Sequence, residues 1–573
     1  MTKNVQRVFI LNELNIILAI FYALTGISII IVGVIPFLPR NEKYLSRLKI
    51  RLKGRASVKS LEEEFPMLGG PWEHPRPMLN NLYAEVEDKI RAIYFDGVLN
   101  KISEDTRVPF KQCVAAFYGK NLHIIQAVSD ICDKYEGGRI RIYGAQRNFR
   151  DVTIHYNNDV KSRAVFSDGP FTCVFNFFLF LLFATAIVIK TIASLSFGRI
   201  KRENVFLAAD FIGDPDDAKI YETASEFGTV ALLPRNGEIN INNVQKLPSN
   251  VSVMQKKGRI FWLDAGKIIT ENINTVFSLY RIGASWDAGV AYFVLGIPFK
   301  RVAIKAVFSV VLPEIFWCRD LYNVNHIIRS QELRLVNRQS WGVLHAYVSY
   351  CDIYPMFQYI DVDELFVLGK AIKERGYEKT WPARMGVHQA KSFRHNSSAP
   401  INKRNERQIL FLCSVYSGEE NLYSIISSVA GNFPDTRVII QIKKIFQNSK
   451  PVKEMVDRLM STHENIIYST ESPCDLMPRA HLCFSDPSAI ALEAAQFGLP
   501  TFMIDIPEVQ KVSIYREIEN FCIRTPHEAI ERVRQSIENG LGLPKPDLEN
   551  YISLNAEPFS TNLKRHLLQY KKT

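Results

Sequence analysis

Acidic residues are in deficit in this 573-residue chain, where 59 Asp and Glu face 70 Lys and Arg for a formal charge of +11. No nucleic-acid motif accompanies the excess of bases, so a nucleic-acid partner is not expected. No CxxC pair occurs among the nine cysteines, an odd number. A zinc ribbon and a disulfide framework are thereby excluded, and Cys413, Cys483 and Cys522 read as small core residues of a reducing compartment. A convincing DxD metal motif is also missing. Asp216 and Asp217 open a helix, where the dipole favours acids, and Asp361 and Asp363 are the other close carboxylates. Neither metal nor cofactor is expected. The YFDG segment lacks a second aspartate two positions after Asp96, which leaves Asp96 as a turn residue and not a phosphatase-like strand end.

What is present is ordinary globular composition, 47% hydrophobic and 23% charged, in a chain long enough for two or three cores. Two stretches stand apart. Ile16 to Leu38 has 23 uncharged residues and Gly169 to Ile189 has 21, each long enough for a hydrocarbon core of about 30 Å. Both are read as membrane segments, spanning or re-entrant, and membrane lipids as partners. No small-residue cleavage site follows the first, so a cleaved signal peptide is not expected. Bases follow both segments, from Arg40 to Arg55 and from Lys190 to Arg202, and both clusters favour the cytoplasm. In YLSRLKIRL, Leu45, Leu48 and Leu52 share one helical face among bases, a strip suited to anionic headgroups.

Between the two segments, the runs IRAIYFDG, CVAAFYGK, GRIRIYGA and DVTIHY predict a small α+β region without a catalytic signature. From Asn204 onward, NVFLAADF, GTVALLPR, VSVMQ and RIFWLDA predict buried strands among helices. The polar segment from 393 to 407 reads as a linker. Beyond it RQILFLCS, TRVIIQIKK and ENIIYST alternate with helical lengths, which predicts a doubly wound domain. Its most informative part is CFSDPSAIALEAAQFGLPTFMID, 483 to 505. A short strand ends at Ser485 and Asp486, Ser488 starts a helix, Gly498 stops it and Pro500 leads into the next strand. Ligands of such βαβ units sit beyond the strand ends, where the helix N-terminus favours an anion.

The run from Asp475 to Ala480, the Ser485-to-Ser488 turn, Glu493 in ALEAAQFG and the Gly498-Leu499-Pro500 exit resemble a segment of GT-B glycosyltransferases, nearest to surface-polysaccharide enzymes and CDP-glycerol glycerophosphotransferases. The chain departs from that pattern at Pro487. Further upstream, His345, Phe366 to Gly369 and Met385 to Val387 follow the same frame. The resemblance implies an α/β fold of two Rossmann-like domains, GT-B type, at 198–392 and 408–573, while the apolar runs place membrane segments ahead of them at 9–38 and 169–197, flanking the region 39–168. It implies a donor site in the last domain, with nucleotide contacts from Ser414, Ser417, Ser485, Asp486, Ser488 and Glu493, and His345 as catalytic residue. Asp264 and Asp363 stay open as alternatives for the base.

The function expected is a membrane-attached, metal-independent glycosyltransferase or polyol-phosphate transferase with its catalytic domains on the cytoplasmic face. Its partners are a nucleotide-activated donor and a glycan or lipid-linked acceptor. A UDP-sugar 2-epimerase-like enzyme and a non-catalytic membrane scaffold with a GT-B body are the alternatives.

Overall fold

In this computed structural model the described residues are 6–11, 16–24, 29–34, 42–53, 58–60, 78–135, 140–143, 145–167, 172–211, 217–234, 247–254, 258–319, 321, 323–344, 355–393, 407–414, 420–444, 446–447, 450–486, 488–505, 518–539, 548–549 and 551–572. Three larger sheets organise them, and every strand pairing is parallel.

The first sheet has the order β3-β2-β1-β4-β5. Its strands are β1 (Gln6–Leu11), β2 (Ile29–Val34), β3 (Val58–Ser60), β4 (Ile140–Tyr143) and β5 (Ala164–Ser167). The expected membrane segment Ile16 to Leu38 is therefore not one helix. It forms the nine-residue helix α1 (Ile16–Leu24) and then β2. The uniform apolarity has a different cause: Ile30 faces one side of the sheet with Val8 and Ile10, while Ile29 and Ile31 face the other with Phe9. Strands buried on both faces read as continuous apolar runs, and periodicity alone does not separate them from membrane helices. The basic strip forms α2 (Glu42–Lys53), but Leu45 and Leu52 are buried and Leu48 packs with Phe9, Ala19 and Ala23. Its leucine face is thus spent on the protein core and not on headgroups.

The region expected to be α+β is α/β. Only GRIRIYGA supplies a strand. IRAIYFDG lies at the end of α3 (Met78–Tyr94), CVAAFYGK lies inside α4 (Glu104–Lys134), and DVTIHY belongs to α5 (Arg147–Tyr156). The missed signal in α3 is a four-residue spacing, with Leu82, Val86, Ile90 and Tyr94 all buried.

Next come α6 (Thr172–Ala193), the two-residue strand β6 (Leu195–Ser196), β7 (Glu203–Phe211), α7 (Ala218–Ser225), β8 (Val230–Pro234), β9 (Val251–Val253) and β10 (Ile260–Phe261). RIFWLDA, expected as a strand, gives only β10 before α8 (Trp262–Gly283) begins. Helix α9 (Ala288–Phe308) follows, and α4, α6, α8 and α9 share one apolar cluster with Val8 and Ile10 of the first sheet.

The middle sheet continues with β11 (Val311–Cys318), α10 (Val324–Arg334), β12 (Gln339–Val343), β13 (Glu364–Val367) and β14 (Gly386–Gln389). Its order is β14-β13-β12-β11-β7-β8-β9. The last sheet is β17-β16-β15-β18-β19-β20, built from β15 (Gln408–Cys413), α11 (Glu420–Asn432), β16 (Arg437–Ile442), α12 (Lys450–Thr462), β17 (Ile466–Ser469), β18 (Leu482–Ser485), α13 (Ala489–Gln496), β19 (Thr501–Ile504), β20 (Cys522–Ile523) and α14 (Pro526–Asn539). In both sheets the chain winds outward one way, returns to the first strand and winds the other way, which is the doubly wound topology of Rossmann-like domains. The fold is thus α/β with a GT-B-like pair of such sheets.

The two sheets are joined closely. Ala491, Leu492 and Ala495 of α13 share a core with Val205, Phe316 and Leu365 of the middle sheet. Gln496 Nε2 donates to Leu368 O at 3.2 Å, and Ser392 N donates to Gln496 Oε1 at 3.1 Å. At Gly369 the segment around Tyr551 passes so near that a Cβ would lie 1.8 Å from Tyr551 O, so no other residue fits without moving backbone. Helix α15 (Phe559–Lys572) then crosses back, with Phe559, Leu563 and Leu567 packed against Phe206, Trp317 and Phe366 of the middle sheet.

Candidate functional site: the switch point of the last sheet

In the last sheet the winding direction reverses between the neighbouring strands β15 and β18. At their carboxyl ends the structure brings Ser414, Ser485, Asp486 and Ser488 together. Asp486 is fully buried and accepts from Ser414 N at 2.6 Å and from Ser414 Oγ at 2.7 Å. Such charge-assisted bonds hold the start of the loop after β15 against the turn after β18. Ser485 is also buried, and its hydroxyl donates to Asp486 O at 2.8 Å. Ser488 is the N-cap of α13 in extended conformation, but its side chain makes no capping bond. The helix start is half-buried, and its first turn carries no acid. Glu493 lies further along α13 and is buried. His345, Ser417 and Pro487 lie outside the described residues.

Cys413 is the residue before Ser414, and burial pushes its thiol well above the usual range, with Asp486 nearby adding to the effect. It is an inert core thiol and not a nucleophile. Four charged residues missed in the sequence reading lie at the same edge. Lys443 and Lys444 follow β16 directly and are exposed. Asp505 follows β19, and Arg524, which follows β20, donates from Nε to Asp505 at 3.1 Å. The available signal was positional, since each of these sites directly follows an apolar run or continues its polar end.

The alternatives for a base fall elsewhere. Asp363 precedes β13 at the amino-terminal edge of the middle sheet, where it accepts from Ser340 N at 2.7 Å and pairs with Arg334 at 3.2 Å. Asp361 pairs with Arg334 and Arg384. These carboxylates are spent on structural ion pairs. Asp264 is exposed in the first turn of α8. Asp217 is buried and pairs with Arg319 Nε at 2.7 Å. Among the described residues, no group of three or more His, Cys, Asp or Glu side chains is arranged to hold a metal ion.

The first sheet has a switch point of its own, between β1 and β4. There the helix that follows β4, α5, meets a carboxylate from far along the chain. Asp287 accepts from Asn148 N at 3.1 Å and from Phe149 N, two donors of the first turn, and Tyr94 Oη donates to it at 3.3 Å. Burial pushes the Asp287 carboxyl up to about 7, while the backbone donors pull the other way. The anion position of the first sheet is thus filled by the protein itself, whereas no side chain of Ser488 covers the corresponding position in the last sheet.

No protein-family model and no curated protein matches the chain. Solved structures similar to it include a UDP-GlcNAc 2-epimerase from Neisseria meningitidis bound to UDP-GlcNAc, with 12% identity over 65% of this chain and 100% of that one at a TM-score of 0.38. MurG from Acinetobacter baumannii matches at 12% identity, 65% and 100% coverage and a TM-score of 0.34. A glycosyltransferase from Rickettsia africae matches at 11% identity, 65% and 98% coverage and a TM-score of 0.38. Likeness at this level does not transfer an activity, and what those proteins bind stays with them.

Proposed function

We propose that the chain is a membrane-attached transferase that moves a glycosyl or polyol-phosphate group from a nucleotide-activated donor to a glycan or lipid-linked acceptor, with its catalytic domains on the cytoplasmic face. The observation that carries the reading is the switch point of the last sheet, where the Ser414–Asp486 clamp fixes two strand ends beside the start of α13. A donor phosphate at that helix start would meet backbone N–H groups and the positive end of the dipole, with Lys443 and Lys444 at the same edge. In glycosyl transfer the bond between the donor carbon and its phosphate oxygen breaks, and the phosphate keeps the electron pair. A bond forms to the acceptor oxygen, whose proton passes to a base. Stabilising the leaving phosphate and placing that base are the two tasks of the site. The proposal assigns the first to Ser488, α13 and the lysines, and the second to His345.

The test is thermal stabilisation of the purified full chain by a panel of UDP-, GDP- and CDP-activated donors, since a ligand that binds the folded state raises its melting temperature by mass action. Stabilisation by one nucleotide class, with release of that nucleotide when an acceptor is supplied, is the expected result. If no nucleotide stabilises the chain, the transferase reading fails and the two-sheet body is a scaffold.

A further inference from the structure

Helix α6 is 22 residues long, about 33 Å at 1.5 Å per residue, and it is the single described helix long and apolar enough to cross a membrane. Its inner side is buried through Leu179, Phe183 and Ile187, in the cluster shared with α8 and α9. Its outer side is equally apolar but exposed. Val174, Phe178, Leu181, Leu182, Ile189 and Ile192 form a stripe along the whole helix, with Phe178 59% exposed. Soluble surfaces rarely carry so continuous an apolar patch.

Both ends of α6 are tied to α8. Near the first turn, Asn176 Nδ2 donates to Ala284 O at 3.0 Å and to Trp286 O at 2.8 Å, just past the end of α8. At the other end Ile260 N donates to Ser194 O at 2.7 Å, and β6 pairs with β10 just before α8 starts. The two helices therefore run antiparallel side by side. Helix α8 exposes Asp264, Lys267 and Glu271. Carrying them into hydrocarbon would cost several kcal/mol each. A bilayer can cover the stripe of α6, but it cannot surround the pair.

The same pairing gathers Phe197, Trp262 and Leu263, all exposed, at one end of the stripe. Arg199, Lys201 and Arg202 follow Phe197 directly, are exposed, and have no ion-pair partner among the described residues. An apolar stripe ending in aromatic side chains and unpaired bases complements a leaflet that presents hydrocarbon below and anionic headgroups above.

We propose that α6 lies in the plane of an anionic leaflet, its outer stripe at the boundary of headgroups and acyl chains, and does not cross the bilayer. The inference rests on the membrane attachment proposed above and is independent of the donor reading, which the nucleotide panel tests separately.

Two experiments test it. In the first, the full chain is sedimented with vesicles of phosphatidylcholine alone or mixed with phosphatidylglycerol. The expected result is strong binding to the mixed vesicles. Phe178→Glu with Leu182→Glu should weaken it roughly tenfold or more. Changing Arg199, Lys201 and Arg202 together to Gln should remove the dependence on phosphatidylglycerol and on salt. Circular dichroism checks that both variants stay folded, as expected for exposed positions. Equal binding by the glutamate variant overturns the proposal. So does a wild-type dimer in solution that ignores vesicles and dissociates in that variant, because the occupant of the stripe is then a second copy. In the second experiment, sealed membrane vesicles from expressing cells are treated with an impermeant maleimide. Exposed Cys173 and a Gly198→Cys substitution, a position with open space for a side chain, bracket α6. Labelling of both from one side supports the in-plane helix, and labelling from opposite sides establishes a span and overturns it.

Discussion

The first and last sheets begin with the same strand order and treat their switch points in opposite ways. In the first, the helix after the return strand is capped by Asp287, a residue about 140 positions further along the chain from that helix start. In the last, the carboxylate at the equivalent turn, Asp486, accepts from Ser414, and the N-cap of α13, Ser488, makes no side-chain capping bond. One site is closed by the protein's own carboxyl group, which serves as a joint between the first sheet and α9. The other is where the proposed donor phosphate would sit, at a helix start whose N-cap side chain makes no capping bond. The same strand order thus serves two different arrangements, and topology alone does not identify a binding sheet.

The comparison is sharpened most by pH. Because burial raises Asp287 from its ordinary value to about 7, the folded state holds its proton more tightly than the unfolded chain. Stability is then highest in acid from this group, falls as pH rises through the range from about 4 to 7, and levels off above it. The full loss amounts to about 4 kcal/mol at most. Asp287→Asn keeps an acceptor for Asn148 and Phe149 and should flatten that dependence in denaturant titrations across the range. A wild-type profile identical to that of the variant would show that Asp287 remains ionised throughout.

The next effect converts the last sheet into the first. Ser488→Glu places a carboxylate at the start of α13, as Asp287 does at α5, and should weaken donor nucleotide binding by about 3 kcal/mol. An acid in the first turn is tolerated by the helix, so the fold should persist. Undiminished thermal stabilisation by nucleotide in this variant would break the assignment of the site.

A smaller effect is expected from Asp486→Asn. The amide retains one acceptor oxygen for two Ser414 donors but loses the charge, and folding stability should fall by about 1 to 2 kcal/mol. A drop in melting temperature with weakened nucleotide binding would confirm the clamp. The smallest change is Lys444→Gln, which should reduce nucleotide affinity two- to fivefold and make it less sensitive to salt. Isothermal titration at two ionic strengths separates this from a change in the pocket itself.

The last sheet was legible because its chemistry is local. Strand, turn, helix and glycine exit follow one another from Cys483 to Ile504, and each is signalled by its own residues. The first sheet was not legible, since an apolar helix with one buried face, followed by a strand buried on both faces, presents the same uniform apolarity as a membrane span. Asp287 could not be foreseen as a cap, because its donors belong to an element separated from it by α6, α7, α8 and the strands among them. The ion pairs that occupy Asp363, an alternative for the base, and its neighbour Asp361 are likewise set by Arg334 and Arg384, through packing and not through spacing.

The return of α15 to the middle sheet has a consequence for synthesis. Strand β14 ends at Gln389 and α15 begins at Phe559, so the ribosome must add more than 170 residues, the difference of those numbers, before that face is covered. Until then Phe206, Trp317 and Phe366 lack the cover of α15, while the last sheet emerges and can fold on its own strands. A nascent chain stalled in that interval would display an apolar surface that holding chaperones recognise, and the middle sheet, though made earlier, would be finished after the last one.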